Sequence, residues 1–153
     1  MSLTTSIALL KKERALILSV IDKLSDEQLL KIPAGYNNNV LWNLGHILIT
    51  QQSLHYFLSR LEMYISREMI QTFRTGTSPS DWKTQPDIIE LKQLFLELPD
   101  KFSEDYKKGI FKDYRPYKTS VGVSIDNFEE AVAFNHFHEG THTGIILGLM
   151  KQI

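Results

Sequence analysis

Apolar residues recur along much of this chain at intervals of three, four or seven, the spacing that gathers them on one face of an α-helix. Between about Thr4 and Leu24 the stripe is Ile7, Leu10, Ile17, Ile21 and Leu24, which predicts a first long helix. Ser25-Asp-Glu-Gln28 follows with the capping-box pattern, so a short helical turn through Leu30 is expected before Pro33-Ala-Gly35 ends it. The asparagines of Tyr36-Asn-Asn-Asn39 can cap a second helix, whose periodic run goes from Val40 to roughly Arg67. Between Thr72 and Pro86 the glycine, proline, serines and threonines read as a long irregular connection. Pro86 fits the first turn of a third helix, which Ile88, Leu91, Leu94, Phe95 and Leu98 continue; Pro99 is expected to kink or interrupt it before Phe102 and Tyr106 resume the pattern. Lys108 to Ile125 reads as a second long loop, with at most a local extended segment at Val121-Gly-Val-Ser. Asp126 or Asn127 then caps a last helix to about Gln152, with Ala131, Phe134, His138, His142, Ile145 and Leu149 on one side.

Four long helices without a convincing strand predict an all-α four-helix bundle, with long loops between helices two and three and between helices three and four. At 153 residues, residues 1–153 are expected to form one domain with a full core. The composition, 42% hydrophobic and 23% charged, is that of a globular protein rather than a disordered one. Seventeen basic residues are dispersed among eighteen acidic ones, so no field is concentrated enough to favour nucleic acid or an anionic membrane as partner. There is no cysteine, which removes disulfides, thiolate metal ligands and a cysteine nucleophile and suits a reducing cytoplasm. The N-terminal run, with Lys11-Lys12-Glu13-Arg14 soon after its first apolar residues, has neither signal-peptide nor membrane-span character; a cytoplasmic protein is expected.

The candidate chemistry lies in Phe134-Asn-His-Phe-His-Glu-Gly-Thr-His142. On a helix His138 and His142 are one turn apart on the same face, so both imidazoles can point at one spot, as metal chelation requires. His46, among the core positions Trp42, Leu44 and Ile49 of the second helix, is the candidate third ligand. Unpartnered imidazoles on apolar stripes would each carry a desolvation cost of about 1 to 3 kcal/mol, so something should hold them there. That something could be a shared metal ion or, for each ring separately, a backbone carbonyl or tyrosine in the core. His136 projects about 200 degrees around the helix from His138 and is read as non-ligating, as is His55. Asn43 and Asn135 could orient an imidazole's second nitrogen, whereas Glu139 is expected at the solvent surface. Gly45, Gly140 and Gly144 are expected to permit close helix packing. No phosphate-cradling loop, serine-nucleophile motif or catalytic carboxylate pair is apparent, and no catalytic residue is assigned.

Asn39-Val-Leu-Trp-Asn-Leu-Gly-His46 and His138-Glu-Gly-Thr-His142-Thr-Gly-Ile resemble the two motifs of the DinB/YfiT-like family of small four-helix proteins, and element order matches over nearly the whole chain. The resemblance implies a divalent metal, zinc or nickel most often, bound by His46, His138 and His142, and a homodimer. Some members of that family are metal-dependent transferases or isomerases that use low-molecular-weight thiols such as bacillithiol. Relatives often read His-x-Gly-Gln-Ile where this chain has His142-Thr-Gly-Ile-Ile, so no role attached to that glutamine carries over. The resulting expectation is a three-histidine metal site acting on a small-molecule substrate, by thiol S-transfer or metal-assisted hydrolysis. The alternatives are a non-catalytic metal- or ligand-binding bundle and a dimeric interaction module. Tyr36, Asn39, Trp42 and the Thr72 to Pro86 loop are candidates to line the mouth of the site.

Overall fold

The computed structural model describes residues 2–153; Met1, the first residue of the N-terminal run, lies outside them. Four long helices, α1 (Leu3–Ile21), α3 (Val40–Gln52), α5 (Ile88–Lys108) and α6 (Phe128–Leu149), form the bundle, with the short helices α2 (Asp26–Leu30) and α4 (Arg67–Phe73) on the connections. Helix α1 packs on α5 and α6, and α3 packs on the same two, so α1 and α3 are diagonal to one another and the main core fills the space between all four. Phe95 of α5 is fully buried there, and Phe102 is fully buried in a second cluster with Ile7, Leu10, Phe128 and Val132, each contributing about 1.5 to 3 kcal/mol of apolar transfer free energy.

The helix starts follow the sequence. Asn39 Oδ1 accepts from the Trp42 amide at 2.8 Å, and Asn127 Oδ1 from the Glu130 amide at 2.9 Å. Ser25 and Gln28 make both halves of the capping box, at 3.2 and 3.0 Å. Pro86 is not in the first turn of α5 but precedes its cap, because Asp87 is the cap and accepts from the amides of Ile89 and Glu90 at 2.9 and 3.0 Å. Two helices end sooner than expected, α1 at Ile21 rather than Leu24 and α6 at Leu149 rather than Gln152.

The larger departure is in the second long helix, which ends at Gln52 instead of near Arg67. Over Ser53–Phe57 the ladder widens to a π-turn, with Leu58 N–H bonded to the Ser53 carbonyl at 3.1 Å and Leu61 N–H to the Tyr56 carbonyl at 2.9 Å. Arg60 then takes a left-handed conformation, φ 60°, which turns the chain out of the helical path. Contacts distant in sequence fix the new course: Tyr64 N–H donates to Gln52 Oε1 at 2.9 Å and Arg115 N–H to the Leu58 carbonyl at 2.7 Å. The chain then forms α4, which overlaps the start of the predicted loop and is capped by Ser66. The later loop likewise contains structure, a two-residue hairpin pairing Tyr117 with Ile125 and Lys118 with Ser124, turned through Gly122 at φ 84°.

Pro99 does not interrupt α5. A proline at 99 leaves the Phe95 carbonyl without its usual i+4 donor. Arg14 supplies one from another helix: its Nη1 donates to the Phe95 carbonyl at 3.3 Å and its guanidinium lies over the Phe95 ring, 4.7 Å from the centroid. The same guanidinium forms a two-pronged ion pair with Glu139, Nη2 to Oε1 at 2.8 Å and Nε to Oε2 at 3.1 Å, both side chains being wholly buried. Asn135 Nδ2 adds a third donor to Glu139 at 2.8 Å. Glu139 is therefore not a surface residue, and Asn135 serves this ion pair rather than an imidazole. The deepest line of α6 is Ala131, Asn135, Glu139 and Ile146, which places His138 and His142 at its half-buried edge.

Candidate metal centre

That edge of α6 faces α3, and the histidines of the two helices meet there. The rings of His46 and His138 have centroids 5.1 Å apart, His46 and His142 4.8 Å, and His138 and His142 4.5 Å. One ring nitrogen from each lies within 4.8 Å of the others, so the three together could hold a metal ion. His46 Nε2 and His138 Nε2 are 3.3 Å apart. Metal–nitrogen bonds of about 2.0 to 2.1 Å at tetrahedral angles place two ligand nitrogens roughly 3.3 to 3.4 Å apart, so this pair already has the spacing of one edge of such a site.

The supports of the rings decide which nitrogens are available. The Phe73 carbonyl, which can only accept, is 2.7 Å from His46 Nδ1, so Nδ1 carries the proton and the Nε2 lone pair faces the other histidines. His142 Nδ1 is 2.8 Å from Asn43 Oδ1. The Asn43 amide is held in that orientation because its Nδ2 donates to Asn38 Oδ1 at 3.0 Å and to the Asn39 carbonyl at 2.8 Å. His142 therefore also presents Nε2 as a lone pair. Two of three rings thus have the outer hydrogen bond that fixes the tautomer of a metal-binding imidazole. His138 Nδ1 is buried without a hydrogen-bond partner. Trp42 stacks on His46, with centroids 4.7 Å apart and planes 8° from parallel, and is itself tied to Thr77 through its indole N–H at 3.0 Å.

The electrostatics favour neutral rings. Burial lowers the His46 pKa, partly offset by the Phe73 hydrogen bond. Burial, with His142 and then His46 nearby, brings His138 down to about 3. Burial and the neighbouring His46 bring His142 to about 4. All three are unprotonated at neutral pH, the state a cation requires of them.

Gly45, next to His46, is the packing glycine the sequence suggested: a Cβ there would be 2.4 Å from the Phe73 ring. Gly140 and Gly144 are not, since a Cβ on either meets nothing within 4 Å. His136 and His55 lie apart from the cluster. His136 Nδ1 is 3.7 Å from Glu13 Oε2, and His55 is buried against Gln51 Nε2 at 3.0 Å. Of the expected mouth residues, Trp42 lines the cavity in front of the histidines, as do Arg74 and Thr75 from the connection; Asn39 is occupied as a helix cap, and Tyr36 is exposed outside the cavity. Asn38, Arg115, Phe134 and Phe137 also line it. Sequence reasoning missed the Phe73 carbonyl, because a backbone acceptor has no sequence signature.

Among the described residues no helix is long and apolar enough to cross a membrane. A family model described as the DinB superfamily matches residues 9–146. Among curated proteins nothing matches the chain.

Proposed function

The chain belongs to the DinB superfamily, and from that membership together with the geometry of its histidines we propose that His46, His138 and His142 are the ligands of one divalent ion, zinc or nickel, in a metal-dependent enzyme. The observation that carries the reading is the convergence of three neutral imidazoles, two of them with Nδ1–H bonded outward to Phe73 and Asn43 so that Nε2 points inward. Three protein ligands leave a coordination position for water or a substrate atom, the arrangement of catalytic rather than structural sites. The bound ion would supply Lewis acidity and lower the pKa of a thiol or water brought to it.

The protein's own share of the work is positional. Trp42 and Phe73 hold His46 from its face and from its far nitrogen, and Asn43 does the same for His142. Among the described residues no aspartate, glutamate, lysine or cysteine lines the cavity, so none of these stands ready there as base or nucleophile. That absence favours chemistry in which the nucleophile arrives with the substrate or solvent: S-transfer from a low-molecular-weight thiol, or hydrolysis. The reading includes one domain over 1–153 and a cytoplasmic location, both expected from the sequence, and a homodimer, as the family resemblance implies.

The test is turnover by zinc- and nickel-loaded protein with a panel of small thiols, bacillithiol and cysteine among them, each paired with an alkyl halide or epoxide. Turnover that disappears in a folded His142→Ala variant supports the enzyme. A metal-loaded protein inert with every pair and toward ester and amide hydrolysis would leave a metal-binding bundle that catalyses nothing.

A further inference from the structure

The cavity in front of the histidines has a volume of about 670 Å³, within the range that encloses a small organic molecule. Its charged lining is one-sided. Arg74 and Arg115 are its two cationic lining residues, and among the described residues no acidic one lines it. This is not a consequence of composition, because the chain has eighteen acidic residues against seventeen basic ones. Neither arginine takes part in an ion pair among the described residues; the carboxylates that form such pairs are those of Asp100, Glu139, Asp22, Asp105 and Glu13, none of which lines the cavity.

The main chain is anchored at both positions, Arg74 N–H donating to the Ile70 carbonyl at 3.0 Å. Arg115 donates its amide to the Leu58 carbonyl at 2.7 Å, and its guanidinium lies over the Phe57 ring, 4.8 Å from the centroid. Arg74 directly follows Phe73, whose carbonyl anchors His46, so one peptide unit joins the support of the histidine to the cation. Much of the rest of the wall is apolar, and part of it is openly exposed. Phe57 is 50% exposed, Tyr117 46%, Val121 63% and Phe137 61%, and all four line this same cavity. Large apolar side chains gathered around one opening mark a binding surface rather than scattered exposure.

We propose that this cavity takes an amphipathic organic anion, with a carboxylate or similar group held by Arg74 and Arg115 and an apolar body against Phe57, Phe134 and Phe137. The proposal deepens the reading above, since it names the class of molecule brought to the same three histidines. A guanidinium fork matches a planar carboxylate with two parallel hydrogen bonds, and an aromatic wall gives an apolar chain the area that a small inorganic anion could not use. A simple organic cation is disfavoured by the two uncompensated charges.

The experiment is calorimetric titration of the full chain, zinc-loaded and metal-free, with octanoate, octanamide, octylamine and acetate. Octanoate is expected to bind at least about tenfold more tightly than the other three. The double variant Arg74→Gln/Arg115→Gln is expected to remove the preference of octanoate over octanamide in both forms while leaving zinc stoichiometry and thermal unfolding unchanged. Equal affinity for octanoate and octylamine, or a preference that survives in the double variant, overturns the proposal whether or not zinc is bound. A chain that takes up no zinc yet keeps the arginine-dependent preference would instead defeat the metal reading and leave this one standing.

Discussion

Replacing Gly45 with alanine introduces one methyl group at the point where the fold supports the candidate site. Built on the existing backbone, that Cβ would lie 2.4, 2.5 and 2.6 Å from three atoms of the Phe73 ring. Carbon atoms pack favourably only at about 3.5 to 4.0 Å, so the ring must withdraw by roughly 1 Å. It has little room, since Phe73 is 1% exposed and sits in the main core against Trp82 as well as α3. Overpacking of this kind costs about 1 to 3 kcal/mol. Phe73 ends the short helix α4, and its carbonyl is the acceptor for His46 Nδ1 at 2.7 Å, so moving the ring disturbs that hydrogen bond. Loss of such an outer contact lowers metal affinity about 10- to 100-fold. Urea unfolding of the metal-free protein and zinc competition against a chromophoric chelator measure the two effects separately. Gly144→Ala is the control: its Cβ meets nothing within 4 Å, so the change should be neutral or stabilise α6 by up to about 1 kcal/mol. A Gly45→Ala protein with unchanged unfolding and zinc affinity would refute the argument that α4 is the support of His46.

Other consequences can be measured in the same way. Asn43→Ala removes the acceptor of His142 Nδ1 and should weaken zinc binding by about 10- to 100-fold, read by the same competition, with His142 still present. Arg14→Met alone leaves Glu139 buried and unpaired and should cost about 3 to 5 kcal/mol in urea unfolding, whereas Arg14→Met/Glu139→Leu should recover most of it. The pH dependence follows from histidines whose folded pKa lies below the unfolded 6.5: His55 and His138 at about 3 and His142 at about 4, each lowered mainly by burial. Lowered folded values mean that the neutral rings' contribution is fully present above pH 6.5 and is lost as the pH falls toward the folded values. Metal-free protein should therefore lose about 1.6 kcal/mol of stability per ring between pH 6.5 and 5, the slope steepening toward about 1.4 kcal/mol per pH unit as the unfolded rings become fully protonated. Unfolding free energies that stay level across that interval would contradict the buried, neutral assignment.

What could be read in advance was what nearest neighbours along the chain control. Asn39, Ser25 and Asn127 cap helices within three residues of themselves, and the spacing of His138 and His142 is a property of one helical turn. The residues misread were those whose state is decided from far away. Glu139 reads as a surface residue until Arg14, 125 positions earlier, is placed beside it. Arg14 also relieves Pro99, by occupying the carbonyl that the proline leaves unbonded. The end of α3 at Gln52 depends on Arg115 and Tyr64, so helical periodicity carried the reading past it. The three histidines were legible as a set because imidazoles on apolar helix faces need partners; their supports were only half legible, Asn43 as a polar neighbour and the Phe73 carbonyl not at all.

The central claim concerns the first coordination sphere of one ion. Untagged protein loaded with zinc and measured by X-ray absorption fine structure should hold one ion per chain with three imidazole nitrogens at about 2.0 to 2.1 Å and a non-protein ligand such as water completing the shell. His46→Ala, His138→Ala and His142→Ala should each remove one imidazole from the fitted shell. A protein that retains no zinc after dialysis, or whose zinc keeps the same shell in all three variants, would contradict the account.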